Sequence, residues 1–375
     1  MVQPSGILWV GPVGDIGGYG NASRNLLRAL QHIELPLYVL NIGQIDAEIG
    51  EEDIDLLLNI MLSRRDLGDH PVLIIHSTPE TFVGIKKDGF IKKIGITVFE
   101  TDRIPLHWAS MCNDMDEVWV PSQFNYRTFT ESGVDPSKVH VIHYPIDVGQ
   151  YVQPFDPYPF PSEVKSFKFL YTLAFDFRKG LDLLIPSYCE EFSNAEDVSL
   201  IVKIYVPGGI SQESVSELVS SYIPDKENNP HIHFILEKTP RKDLLSLYSS
   251  SSCYVSTERA CGWGMPQIEM MAMGKPVISV NWGGGTEFMN DKNAFLIEPE
   301  PELEWVNSEL QRARPVHYFR HKWAKVSKQN VMKTMREAFE NHKKREEIAL
   351  QAKLDIANKF STQMIAEQIK ARLFV

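Results

Sequence analysis

Short apolar runs closed by turn-forming residues recur along the chain and alternate with stretches whose apolar positions follow a helical spacing. Over the first 150 residues the runs are Ile7–Val10, Leu37–Asn41, Val72–His76, Ile94–Phe99, Glu117–Val120 and Val139–His143. Between the first two, Leu26, Leu27, Leu30 and Ile33 share a helix face. Runs that are nearly continuous in apolar character suit strands covered on both sides. Strand, helix, strand in repeated order therefore predicts a parallel sheet with helices on each face.

The texture changes at VQPFDPYPFPSE (152–163), which carries Pro154, Pro157, Pro159 and Pro161. Neither a helix nor a central strand tolerates that many prolines, so this segment is an extended connector and a domain boundary. A second series follows, with strands predicted at Phe167–Leu173, Ser199–Tyr205, Ile232–Ile235, Cys253–Ser256, Val277–Val280 and Ala294–Ile297. Helices are predicted over Lys179–Phe192, Arg241–Ser250 and Pro266–Met273. From about Lys325 the pattern is helical to the end: Val331, Met335, Ala338 and Phe339 share one face, and Met364, Ile365, Ile369 and Leu373 share another. The expected organisation is a Rossmann-like domain over 1–155, a second over 164–345, and helices over 346–375 that either cap the second domain or return to the first.

Composition narrows the partners. With 375 residues, 43% hydrophobic and 23% charged, the chain is ordinary globular material for two cores. A formal net charge of −11 works against broad nucleic-acid binding, which needs many cations opposite phosphates. Cys112, Cys189, Cys253 and Cys261 include no CxxC pair, which points to reduced thiols and a cytoplasmic chain. The first residues carry no basic stretch before an apolar run, and no window offers the 18 or so apolar residues of a membrane span. Peripheral attachment through a local basic patch stays open.

In open α/β sheets, ligands bind outside the carboxyl ends of the strands, so the exit loops carry the candidate chemistry. The first, GPVGDIGGYG (11–20), runs into a helix; Gly17, Gly18 and Gly20 would let backbone approach a ligand or merely supply a tight turn. His76 and Glu100 end adjacent strands and could handle a hydroxyl proton, or could be a core residue and a helix cap. In the second domain, Arg178 and Lys179 at a strand exit suit a diphosphate, or form a solvated surface pair. TERACGWGM (257–265) leads into PQIEMMAM (266–273), with Pro266 at the first helical position and Gly274 beyond its end. The amides of Gly264 and Met265 would make an anion-binding helix start, and Glu269 lies one turn in. NWGGGTE (281–287) is a further glycine-rich exit on the same edge. Asp114-Met-Asp116 precedes its strand and reads as a helix end, not as a metal motif.

The segments FETDRIP (99–105), VWVPSQFN (118–125), RKG (178–180), GWGMPQIEMMAMGKPVI (262–278) and NWGGGTEF (281–288), in this order, resemble family 4 of the retaining glycosyltransferases. The resemblance runs to about residue 298. It implies the α/β GT-B fold, two Rossmann-like domains facing across a cleft, with a C-terminal helix crossing back to the first. It implies a UDP- or GDP-sugar donor and no cofactor or metal. The donor diphosphate would be held by Lys179, Arg178 and the backbone of Gly262, Gly264, Met265 and Pro266, and the ribose by Glu269. Gly17 and Gly18 would lie near donor phosphates and acceptor. Tyr19, Glu100 and Ser122 are expected around the acceptor, which would be a glycan, a lipid-linked species or a protein.

Two positions depart from the family pattern. Its first glutamate, just before the Gly-aromatic-Gly, is Cys261 here, and Glu258 is the nearest upstream acid. Glu258 could substitute, the carboxylate could be lost with most of the activity, or Cys261 could act as a nucleophile. The family's arginine, about five residues before its lysine, is Ala174 here, so Arg178 either replaces it or points to solvent. Besides a transferase in which Lys179, Arg178 and the helix start stabilise the leaving phosphate, with His76 near the acceptor hydroxyl, two other classes follow. One is a nucleotide-sugar or glycan binding protein; the other, an NAD-dependent oxidoreductase, lacks a GxGxxG motif.

Overall fold

The structure is a computed structural model that describes residues 2–63, 66–206, 210–224 and 227–374; Met1 and Val375, the outer ends of the expected segments, lie outside. The chain divides into two compact units. The first comprises Met1–Gln150, Val316–Tyr318 and Ala357–Val375, and the second Tyr151–Pro315 and Phe319–Ile356.

In the first unit β1 (Gly6–Gly11), β2 (Leu37–Asn41), β3 (Pro71–His76), β4 (Lys92–Ile96), β5 (Glu117–Val120) and β6 (Val139–Val141) form a six-stranded sheet in the order β2-β1-β3-β4-β5-β6. Every pairing is parallel. The apolar runs of β1, β3 and β5 are buried from end to end apart from Leu8 and Pro71, as helices on both faces require. The fourth strand was expected to reach Phe99 but stops at Ile96. The segment after it is held by side chains instead of a ladder: Asn125 Nδ2 donates to the Phe99 carbonyl at 2.6 Å, and the Phe99 ring meets the edge of Trp108.

In the second unit β7 (Phe167–Ala174), β8 (Val198–Tyr205), β9 (His231–Ile235), β10 (Cys253–Val255), β11 (Val277–Val280) and β12 (Phe295–Ile297) pair in the order β12-β11-β10-β7-β8-β9, again all parallel. The helix expected over Lys179–Phe192 begins only at Leu181. Gly180 adopts φ +70°, which ends a short 3₁₀ turn over Phe177–Lys179. A Cβ at Gly180 would also lie 2.3 Å from the Thr257 carbonyl, so that position is closed to other residues on two counts. Helix periodicity did not single out Glu51–Leu62, Gln123–Glu131 or Gln212–Ser221, short helices with few buried positions.

The helical tail serves both units. Helix Lys328–Glu340 buries Val331, Met335 and Ala338, packing on helix Leu181–Glu191 of the second. Helix Thr362–Leu373 belongs to the first unit, where Ile365, Ile369 and Leu373 are buried and it packs on helix Gly18–Gln31. A buried carboxylate fastens it. Glu117, at 6% side-chain exposure, pairs with Arg372 at 2.8 Å and Lys92 at 2.9 Å, and accepts from Trp119 Nε1 at 2.8 Å. Burial pushes the Glu117 carboxyl up, but hydrogen bonds from Arg372, Lys92 and Trp119 hold it below its ordinary value.

Replacing Arg372 with Met leaves Glu117 short of a partner, and the first unit should lose about 2 kcal/mol, less than a fully buried pair because Arg372 is partly exposed. Urea unfolding followed by tryptophan fluorescence checks this. Because the folded carboxyl titrates below its unfolded value near pH 4.3, its stabilisation is present above that pH and fades as pH falls through the folded pKa. The gap between variant and parent should therefore narrow in acid.

Candidate active site

The strand orders define where each sheet opens. In the second unit, connections from β7 run toward β9 and those from β10 toward β12, so the switch point lies between β7 and β10. In the first unit it lies between β1 and β3. The basic pair, the loop before helix Met265–Ala272, the first glycine loop and His76 all sit at these two openings.

At the second opening Asp176 Oδ1 accepts from the Arg178 amide at 3.0 Å, and the Tyr171 hydroxyl donates to the Lys179 carbonyl at 2.7 Å, so the basic turn is fixed from both ends. Lys179 Nζ lies 2.9 Å from Glu258 Oε2, and Arg178 Nη1 lies 3.8 Å from the same oxygen while donating to the Ala260 carbonyl at 3.1 Å. Arg178 thus points toward Glu258 and the Ala260 carbonyl and not to solvent. Glu258 is buried to 3% exposure. Burial alone would raise its pKa, but Lys179 and Arg178, with a hydrogen bond from Cys261, hold it below the ordinary value. Glu258 lies against both cations, and Asp176 Oδ1 is 3.9 Å from Arg178 Nε on the other side.

Cys261 is also buried, and burial, followed by the Glu258 carboxylate, pushes its thiol far above the usual range. It stays protonated and donates to Glu258, which speaks against a nucleophile. Gln267, in the first turn of the helix and 1% exposed, places Nε2 3.3 Å from Ser256 Oγ and 3.5 Å from Glu258 Oε1. Sequence reading passed over this residue, since an amide inside an apolar helix face carries no signature.

The glycines here divide into two kinds. Gly264 caps helix Met265–Ala272 at φ +104°, with Pro266 in the first turn. Gly283 and Gly284 instead let two loops touch: a Cβ on Gly284 would lie 1.8 Å from the Gly262 carbonyl, and the Gly284 amide donates to Cys261 at 2.7 Å. On the same helix Glu269, 2% exposed, accepts at Oε1 from Tyr151 at 2.9 Å and from Arg241 Nη2 at 3.0 Å. Neither partner was singled out from sequence, although Arg241 stands at a helix start beyond a strand, as Arg178 does.

At the first opening, several glycine-loop amides already have partners. Asp15 Oδ1 accepts from Gly17 at 2.7 Å, Asp46 Oδ2 from Ile16 at 3.0 Å and Asn41 Oδ1 from Gly14 at 2.9 Å. Arg24 grips the Val13 and Asp15 carbonyls at 2.9 and 2.6 Å. The loop's tightest approach is at Gly20, where a Cβ would lie 1.8 Å from the Asp15 carbonyl; around Gly18 there is open space. His76 is fully buried, with Nδ1 2.6 Å from Ser23 Oγ and Nε2 3.0 Å from the Tyr144 hydroxyl. Burial pushes its pKa down to about 3, so the ring is neutral and both nitrogens are engaged. That matches a core histidine better than a proton carrier.

The Tyr19 hydroxyl reaches the Val98 carbonyl at 3.3 Å. Glu100 accepts from Tyr318, one of the three residues by which the 316–318 segment joins this unit. Ser122 is the buried cap of helix Gln123–Glu131, its Oγ accepting from the Asn125 amide at 3.1 Å. Among the described residues, no group of three or more His, Cys, Asp or Glu is placed to hold a metal ion, and no helix is long and apolar enough to cross a membrane.

Residues 154–312 match the family described as glycosyl transferases group 1. The alpha-1,3/1,6-mannosyltransferase ALG2 of Homo sapiens is 25% identical over 307 residues, 76% of this chain and 69% of its own. The crystal structure of HepE of Anabaena in complex with UDP and glucose has a TM-score of 0.66 at 15% identity, covering 98% of this chain and 99% of that one. Sucrose-phosphate synthase of Thermosynechococcus elongatus has a TM-score of 0.68 at 14% identity, covering 99% and 98%. At such identities the structural likeness is one of fold: α/β, GT-B, two Rossmann-like domains.

All four cysteines are free and buried. Native protein at pH 7.5 should therefore take up less than one equivalent of a disulfide reagent within minutes, against four after denaturation. Rapid native labelling at Cys261 would contradict the protonated thiol.

Proposed function

We propose that this chain, a glycosyltransferase of group 1, moves a hexose from a UDP- or GDP-sugar to an acceptor hydroxyl with retention of configuration and without a metal ion. The observation that carries this reading is the convergence of Lys179 and Arg178 on one buried carboxylate at the switch point, next to the start of helix Met265–Ala272. The named activity of ALG2 and the UDP bound in HepE support a sugar nucleotide as donor. Retention rests on the family resemblance of residues 262–278 and 281–288.

In this reading the donor diphosphate takes over Lys179 and Arg178 from Glu258. When the bond between the sugar and the terminal phosphate breaks, negative charge grows on the leaving oxygen. Lys179, Arg178 and the amides at Gly264 and Met265 are fixed beforehand where that charge develops, so they need little reorganisation. Glu258 has two tasks. Without donor it neutralises a cation that would otherwise be buried alone, and with donor it supplies a carboxylate near the position where Cys261 has none. The alternative of a binding protein drew its force from that missing carboxylate. Glu269 accepts from the ribose hydroxyls. Gly18, with open space around it, and Tyr19 belong to the acceptor side, where a glycan, a lipid-linked species or a protein is the substrate. The work is cytoplasmic, with peripheral membrane attachment for a lipid-linked acceptor.

Lys179→Ala should lower transfer at least about 100-fold while circular dichroism stays unchanged, since a single preorganised charge stabiliser is worth about that much. Turnover equal to the parent would remove the donor-phosphate assignment. Tight donor binding by the parent without any turnover would instead favour the binding-protein reading.

A further inference from the structure

The residues that hold Glu269 lie outside the donor loops, and their arrangement goes beyond neutralising a buried acid. Arg241 is the first residue of helix Arg241–Ser249, directly after the loop that follows β9. Its guanidinium donates to Glu269 Oε1 at 3.0 Å and to the Tyr151 hydroxyl at 2.5 Å, while Tyr151 donates to the same Oε1 at 2.9 Å. The three groups close a ring of hydrogen bonds around one carboxylate oxygen. The other end of the loop is fixed as well. Lys203, in β8 and 7% exposed, donates from Nζ to the Glu237 carbonyl at 2.8 Å. Lys203 and the half-buried Arg241 therefore hold residues 237–241 from both ends. Taking a cation out of water is costly and is offset only where its partners are held in good geometry.

We propose that Arg241, supported by Tyr151, is a positioning residue: it fixes the orientation of Glu269 as the ribose ligand and ties that carboxylate to the loop at 237–241. The inference rests on the assignment of Glu269 to the ribose. A carboxylate accepts only, so the ribose hydroxyls must be its donors, and their bonds strengthen when it does not turn. The Arg241–Tyr151 ring, together with a hydrogen bond from Tyr248, restricts that turning. The diphosphate site at Lys179 and Arg178 shares none of these contacts, which separates the two halves of nucleotide recognition.

Dissociation constants of UDP, 2′,3′-dideoxy-UDP, the corresponding GDP pair and inorganic pyrophosphate, measured by calorimetry on the full chain, test this. The parent should bind the better ribonucleotide about tenfold or more tightly than its dideoxy analogue, the range of hydrogen bonds to a charged group. In Arg241→Gln that ratio should fall to about two or three, Arg241→Lys should restore most of it, and pyrophosphate affinity should not change. Tyr151→Phe, which removes a single hydroxyl, should lower the ratio in the same direction and serves if Arg241→Gln does not fold. If both variants keep the parent's ratio, Arg241 is only structural, and the ribose assignment survives. If the parent does not distinguish the ribonucleotides from their dideoxy forms, or binds neither, the ribose assignment fails and the inference fails with it.

Discussion

A lysine and an arginine brought close together out of water repel each other and lose hydration, so a pocket built from them needs a negative charge even when nothing is bound. Glu258 provides that charge from the exit of β10, across the switch point from the basic turn that follows β7. The rest of the second unit is arranged around this contact. Gly180 lets the basic turn end against Thr257, Tyr171 and Asp176 fix its two ends, and Gln267 links the carboxylate to the helix that bears Glu269. In the proposed function, incoming phosphate would exchange one anionic partner for another, and the cations would need little movement.

The first unit uses charge differently. Arg24 and Arg28 share Asp53, at 2.8 and 2.7 Å, and Arg24 extends to the carbonyls of the glycine loop. Asp15 and Asp46 occupy amides that an anion would otherwise seek. This opening is internally satisfied and less cationic than its counterpart.

Much of this was legible in the residues. Apolar runs marked all twelve strands of the two six-stranded sheets, most plainly where both faces are covered, as in β3, β5 and β11, and less plainly at the edges, where β2 and β9 are largely half-buried or exposed. The places of the basic pair and of the helix at 265–272 were legible because both follow strand exits. What stayed hidden depends on side-chain direction. Whether Arg178 faces solvent, whether Glu258 reaches Lys179, and whether His76 is engaged at both nitrogens are settled by packing between segments far apart in sequence. The glycines of NWGGGTE were ambiguous for a similar reason. Gly283 and Gly284 are required by the neighbouring loop at Cys261–Gly262, a contact that spacing cannot show.

The path of the chain has one more consequence. The second unit is nearly continuous in sequence, whereas the first is closed by residues 357–375, made more than 200 positions after its sheet. During synthesis the first unit therefore waits, with helix Gly18–Gln31 lacking its partner helix Thr362–Leu373 and Glu117 lacking Arg372. A nascent chain in that condition presents apolar surface to the cell, and the half that begins first is the half that finishes last.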